Sequence, residues 1–186
     1  NPKELTITAN AQTTTYGTVL SLGTTAFTHG ALANEESINN VTLKYNLLST
    51  VPATTDAGTY EITPSAASGL NGFKASNYNI NYVNGSLTIN RKGISVTAND
   101  QSKTYGAANP DLTFRVAEDL TGLAAVAGSV TTTATTTTGV GSVAITQGTV
   151  TNENNANYNI TFTNGALTIN PKELTITANA QTTTYG

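Results

Sequence analysis

Apolar and polar residues alternate in two short blocks that recur along the chain. In the first, Leu5, Ile7 and Ala9 alternate with Thr6 and Thr8, and the pattern returns at Ile94, Val96 and Ala98 and again at Leu174, Ile176 and Ala178. Successive side chains of a strand point to opposite faces, so a period of two predicts a β-strand with one apolar face. Each copy runs into Tyr-Gly, at Tyr16-Gly17, Tyr105-Gly106 and Tyr185-Gly186. Gly is expected there to supply a conformation closed to other residues, and Tyr to cover the end of the core. No window carries a 3.6-residue apolar period, so no helix longer than about two turns is expected.

The second block reads NYNINYVNGSLTIN at 77–90 and NYNITFTNGALTIN at 157–170. Asn84-Gly85 and Asn164-Gly165 carry the strongest signal for a two-residue type I′ turn, so each block is expected to be a hairpin. The turn would set Tyr82 against Leu87 and Ile80 against Ile89, with Phe162 against Leu167 and Ile160 against Ile169 in the second copy. Asn79, Asn81, Thr88, Asn159, Thr161 and Thr168 would then face solvent, as in an antiparallel sheet packed on one side.

These blocks divide the chain. Residues 1–17 recur unchanged at 170–186, with the variant GISVTANDQSKTYG at 93–106. Residues 1–90 form a first repeat, 91–170 a second, and 171–186 the opening strand of an incomplete third. Between the shared blocks the repeats diverge, although DAGTYEIT at 56–63 resembles GVGSVAIT at 139–146. The joints, Asn90-Arg91-Lys92-Gly93 and Asn170-Pro171-Lys172-Glu173, span roughly 13 Å if extended, too short for free tumbling. Ile169 and Leu174 are an odd number of positions apart, so that joint must twist to keep both inward, and Pro171 suits a boundary. The expected fold is all-β: two tandem antiparallel domains, immunoglobulin-like sandwiches in preference to extended single sheets, arranged as an elongated rod. The orphan strand from Leu174 is expected to lie along the end of repeat two or to pair head-to-tail with a neighbouring chain; plain disorder is the remaining option.

Composition narrows the function. Among 186 residues, 38 are Thr and 22 are Asn, while only 10% are charged. This uncharged, β-branched and turn-forming mixture suits half-buried strands joined by tight turns. Eight Lys and Arg against eleven Asp and Glu leave no basic surplus for nucleic acid. The absence of Cys excludes a disulfide scaffold and thiolate zinc sites, and the single His29 excludes chemistry that needs two imidazoles. No apolar run approaches the ~18 residues of a transmembrane helix, so membrane insertion of this segment is not expected. The start, NPKEL, reads as the interior of a longer protein.

Candidate chemistry is sparse. His29, in Phe27-Thr28-His29-Gly30, lacks a nearby acid and serine in any nucleophile arrangement and reads as a loop or strand-edge residue. Glu35-Glu36, Asp56, Glu118-Asp119 and Glu153 lack the alternating spacing of a calcium loop, leaving an inter-repeat calcium site as a minor alternative. A Lys-to-Asn isopeptide staple is conceivable, but Lys44 and Lys74 have no counterpart in repeat two. The tripeptides at Asn40, Asn84 and Asn159 fit glycosylation only as often as so much Asn and Thr produces by chance. The tract TTTATTTT, 131–138, reads as an exposed edge strand ahead of a glycosylated patch or a hydroxyl array. No catalytic, cofactor-binding or metal-ligating residue is assigned.

The pattern LTITAN-x-Q-x-x-TYG opening a unit and NYNI-x-[YF]-x-NG-x-LTI closing it resembles the bacterial MBG domain of the YGX type, over nearly the whole chain. The segment Thr104-Tyr105-Gly106-Ala107-Ala108-Asn109-Pro110 is its fullest form here, whereas repeat one has Thr18-Val19 after its Tyr-Gly. The resemblance implies a tandem module of large secreted bacterial adhesins and haemagglutinin-like proteins: surface-exposed, extracellular, a stalk with no catalytic residues. Its expected partners are neighbouring repeats of the same chain. The alternative is that the repeats themselves bind a glycan or a host or cell-surface protein, for instance by adding a strand to a sheet edge. Near identity of the opening strands favours the spacer, which needs many interchangeable copies.

Overall fold

The computed structural model describes residues 1–186 and is all-β, with one 3-10 turn at Ala75–Asn77. In chain order the strands of repeat one are β1 (Lys3–Ala9), β2 (Gln12–Thr15), β3 (Leu20–Ser21), β4 (Phe27–His29), β5 (Ser37–Lys44), β6 (Thr50–Val51), β7 (Gly58–Leu70), β8 (Tyr78–Val83) and β9 (Gly85–Asn90). Those of repeat two are β10 (Lys92–Ala98), β11 (Gln101–Thr104), β12 (Phe114–Val116), β13 (Thr131–Thr132), β14 (Gly141–Thr146), β15 (Tyr158–Thr163) and β16 (Gly165–Asn170). Each repeat is built on two main sheets. Repeat one has β4-β1-β8 and β2-β9-β7-β5, with β3-β6 as a small third sheet; repeat two has β12-β10-β15 and β11-β16-β14-β13.

The expected hairpin is not there. The segments on either side of Asn84-Gly85 belong to different sheets: β8 pairs with β1, and β9 pairs with β2 and β7. Repeat two does the same with β15 on β10 and β16 on β11 and β14. Both β1–β8 and β2–β9 are parallel, so the two shared blocks run side by side and cross together from one sheet to the other. Lys3 lies opposite Tyr78 and Gln12 opposite Leu87, so the register is unbroken through the corner. The domains are therefore mixed, not purely antiparallel.

The corner explains the glycine. Neither Gly85 nor Gly165 has positive φ. A Cβ on Gly85 would lie 2.5 Å from the Ala9 carbonyl oxygen, and one on Gly165 would lie 2.6 Å from that of Ala98. Glycine is required because the neighbouring strand's backbone comes so close, not because a turn needs a left-handed residue.

The inward faces nonetheless fall where alternation places them. Leu5, Ile7, Ala9, Leu87 and Ile89 are buried in repeat one, and Ile94, Val96, Ala98, Leu167 and Ile169 in repeat two. Parity reverses at the corner: Tyr78, Ile80 and Tyr82 face inward before it, Leu87 and Ile89 after it. A strand that passes from one layer of a sandwich to the facing layer must present its opposite side to remain on the core. The likeness of DAGTYEIT to GVGSVAIT is structural as well, since Gly58 pairs with Ile89 and Gly141 with Ile169.

Two further expectations change. Only Thr131 and Thr132 of the threonine tract form an edge strand; from Thr135 the chain turns, with the Thr138 hydroxyl accepting the Thr135 N–H at 2.8 Å. Ala134 drops into the core and interrupts the strand. The tail from Pro171 forms no strand, and every one of its residues is exposed, Leu174 by 80%. It therefore does not lie along repeat two: its parallel partner would be a closing block that 171–186 does not contain.

Candidate functional site: the joint between the repeats

Only Arg91 separates β9 from β10. The rest of the joint comes from side chains. At the end of β2 the Tyr16 N–H donates to the Asn90 carbonyl at 2.9 Å, which carries the Tyr16 ring past the last strand of its own repeat. The ring meets Tyr158 of repeat two edge-on, with centroids 5.5 Å apart and planes at 87°. The Tyr16 hydroxyl accepts the Ala124 N–H at 3.1 Å, while the Tyr158 hydroxyl donates to the Ala124 carbonyl. Tyr16 is thereby only 3% exposed.

Gly17 completes the seat. Its φ of +90° is the left-handed conformation expected of the motif, and its N–H donates to the Ala53 carbonyl. A Cβ there would stand 2.9 Å from Cδ1 of Leu123, so the bare Cα also makes room for the next repeat. Asn157 closes the other side. Its Oδ1 accepts the Ala57 N–H at 2.8 Å, and its Nδ2 donates to Oδ1 of Asp56 at 2.8 Å. An uncharged amide thus satisfies a donor and an acceptor of the neighbouring repeat at once. Burial, and then the neighbouring Tyr16, hold the Tyr158 phenol above its ordinary pKa.

The remaining candidates are dispersed. His29 lies on the exposed edge strand β4, its Nδ1 2.7 Å from the Gly30 carbonyl oxygen. The carboxylates are spent singly. Glu36 accepts the Tyr78 hydroxyl, Asp56 the Asn157 amide, Glu118 the Ser95 N–H, and Asp119 the Thr121 N–H and hydroxyl. The bond from Ser95 N–H pulls the Glu118 pKa down, and the Thr121 hydroxyl does the same for Asp119. No group of three or more His, Cys, Asp and Glu is arranged to hold a metal. A shallow surface recess of about 640 Å³ lies beside Tyr45 and Tyr60, along the first half of β7. Val143 stands where repeat one has Tyr60, opposite Leu167 and Leu87 of the closing strands, so the recess is no common feature of the repeats.

Sequence reasoning missed three polar residues. Lys103, aligned with Thr14, is 7% exposed, and its ammonium donates to the carbonyls of Ala107 and Thr135 and to Asn109 Oδ1, at 3.2, 2.7 and 2.8 Å. Asn109 Nδ2 in turn donates to the Ala134 carbonyl. A buried cation satisfied by three oxygens fastens the Ala-Ala-Asn-Pro loop to the threonine turn. Asn155, also buried, bridges Ala127 and Thr151 before β15. For Asn157 a signal existed, since Asn77 opens the same NYNI in repeat one.

Two like sandwiches in one chain, locked through side chains they share in sequence, define a tandem β-repeat protein. The MBG domain (YGX type) family matches twice, at residues 5–88 and 94–168, and the chain belongs to that family. No curated protein and no solved structure matches it.

Proposed function

We propose that these repeats are spacer modules of a bacterial surface or secreted adhesin, extracellular in location, which hold a distal binding region away from the cell. The observation that carries this reading is the joint. A one-residue linker with Tyr16 seated in the next repeat resists bending and passes load from core to core. The chemistry of the joint agrees with it: its polar groups are used to bind one repeat to the other. Small-angle scattering should give a maximum dimension near twice that of one repeat, each bead having a radius of gyration of about 12 Å. In a surface protein carrying these repeats, removing them should reduce adhesion, and an unrelated rigid spacer of equal length should restore it. Failure of that rescue, with saturable glycan binding by the isolated chain, would overturn the reading in favour of direct recognition.

A further inference from the structure

The joint has a second, empty half at the other end of repeat two. Tyr105-Gly106 repeats Tyr16-Gly17 in sequence and backbone: the Tyr105 N–H donates to the Asn170 carbonyl at 2.9 Å, and Gly106 has φ +84°. The surroundings differ. Tyr105 is 43% exposed where Tyr16 is 3% exposed, and nothing lies within 4 Å of a Cβ built on Gly106, where Leu123 sits over Gly17. Val140 takes the place of Ala57, whose N–H is held by Asn157, and Val140 is 58% exposed. Three positions that are covered or bonded at the first joint are thus open together at this pole.

We infer that the Tyr105-Gly106-Val140 pole is a docking surface for the N-terminal pole of a following repeat of the repeat-one kind. That pole carries the matching groups. Leu32-Ala33 and Asn77-Tyr78 stand where repeat two has Leu123-Ala124 and Asn157-Tyr158. The correspondence is one of place: each alanine lies against the hydroxyl of its repeat's NYNI tyrosine, Ala33 donating its N–H to Tyr78, and Ala124 accepting the Tyr158 hydroxyl at its carbonyl while its N–H goes to Tyr16. The tether is also in place: residues 173–186 repeat 4–17 residue for residue, after a joint of the same length. Leu32 would sit over Gly106, Tyr105 would enter beside Tyr78, and Asn77 would take the Val140 N–H. Gly139 replaces Asp56 here, so the amide bridge loses its carboxylate half and the ring carries more of the joint. The inference rests on the geometry of the first joint and does not depend on an adhesin role.

The test extends the full chain past Gly186 with residues 18–90, which completes a third repeat. Hydrogen exchange at the Val140 amide should slow at least tenfold in the extended chain. Tyr105→Ala should reverse that slowing there while shifting the melting temperature of the 186-residue chain by no more than about 3 °C. Equal exchange at Val140 in both chains would overturn the proposal, as would an extended chain indifferent to Tyr105→Ala. An added repeat whose strand amides exchange at the rate of an unfolded chain counts against it equally. Concentration-dependent association of the 186-residue chain, abolished by Tyr105→Ala, would assign the seat to a second copy and also overturn it.

Discussion

The two repeats share their ends and differ in their middles. The opening and closing blocks build the same parallel pair, the same sheet-to-sheet corner and the same strand opposite Gly58 or Gly141. Between them, repeat one runs a long β7 against β5, while repeat two uses short strands and threonine turns, fastened to its opening block by Lys103. The corner sets backbone against backbone, and the joint seats side chains of one repeat against the other, so few substitutions fit at either. The middles have only to cover a core, which many sequences can do.

The largest effect should come from the corner. Gly165→Asn separates two explanations of the same residue, because a type I′ turn accepts Asn whereas close approach to Ala98 does not. We expect a loss of about 3 kcal/mol, read as a fall of more than about 10 °C in the melting of repeat two. A change within a degree or two would restore the hairpin.

Next come the two tyrosines of one motif. Tyr16→Ala should cost about 3 kcal/mol by emptying a buried aromatic seat, and Tyr105→Ala less than about 0.5 kcal/mol in the 186-residue chain, both read by urea denaturation. Equal costs would mean that Tyr16 serves only its own repeat.

Lys103→Thr gives repeat two the residue that repeat one uses at that position. Three oxygens lose their donor, with an expected cost of about 1–3 kcal/mol and faster exchange around Thr135. An unchanged melting curve would show that the loop and the threonine turn hold without it.

The smallest effect is that of pH on the joint. The Tyr158 phenol is held above its ordinary pKa by burial and by Tyr16. The folded state therefore keeps the proton more tightly than the unfolded one. That contribution is complete below pH about 10 and is lost as pH rises from there through the folded value. Alkaline titration above pH 10 should destabilise the parent chain more than Tyr158→Phe.

Alternation along Leu5–Ala9 and Tyr78–Ile89 determined which side chains face the core, because burial of one face of a strand requires a period of two whatever lies beside it. The repeats and the left-handed Gly17 and Gly106 were legible from local sequence as well. The partner of each strand was not. Asn84-Gly85 suits a hairpin and a corner equally in sequence, and only the long-range pairing of 3–15 with 78–90 decided between them. Tyr16 and Tyr105 close the same Thr-Tyr-Gly, yet one is buried and the other open, because burial depends on which surface the next repeat brings.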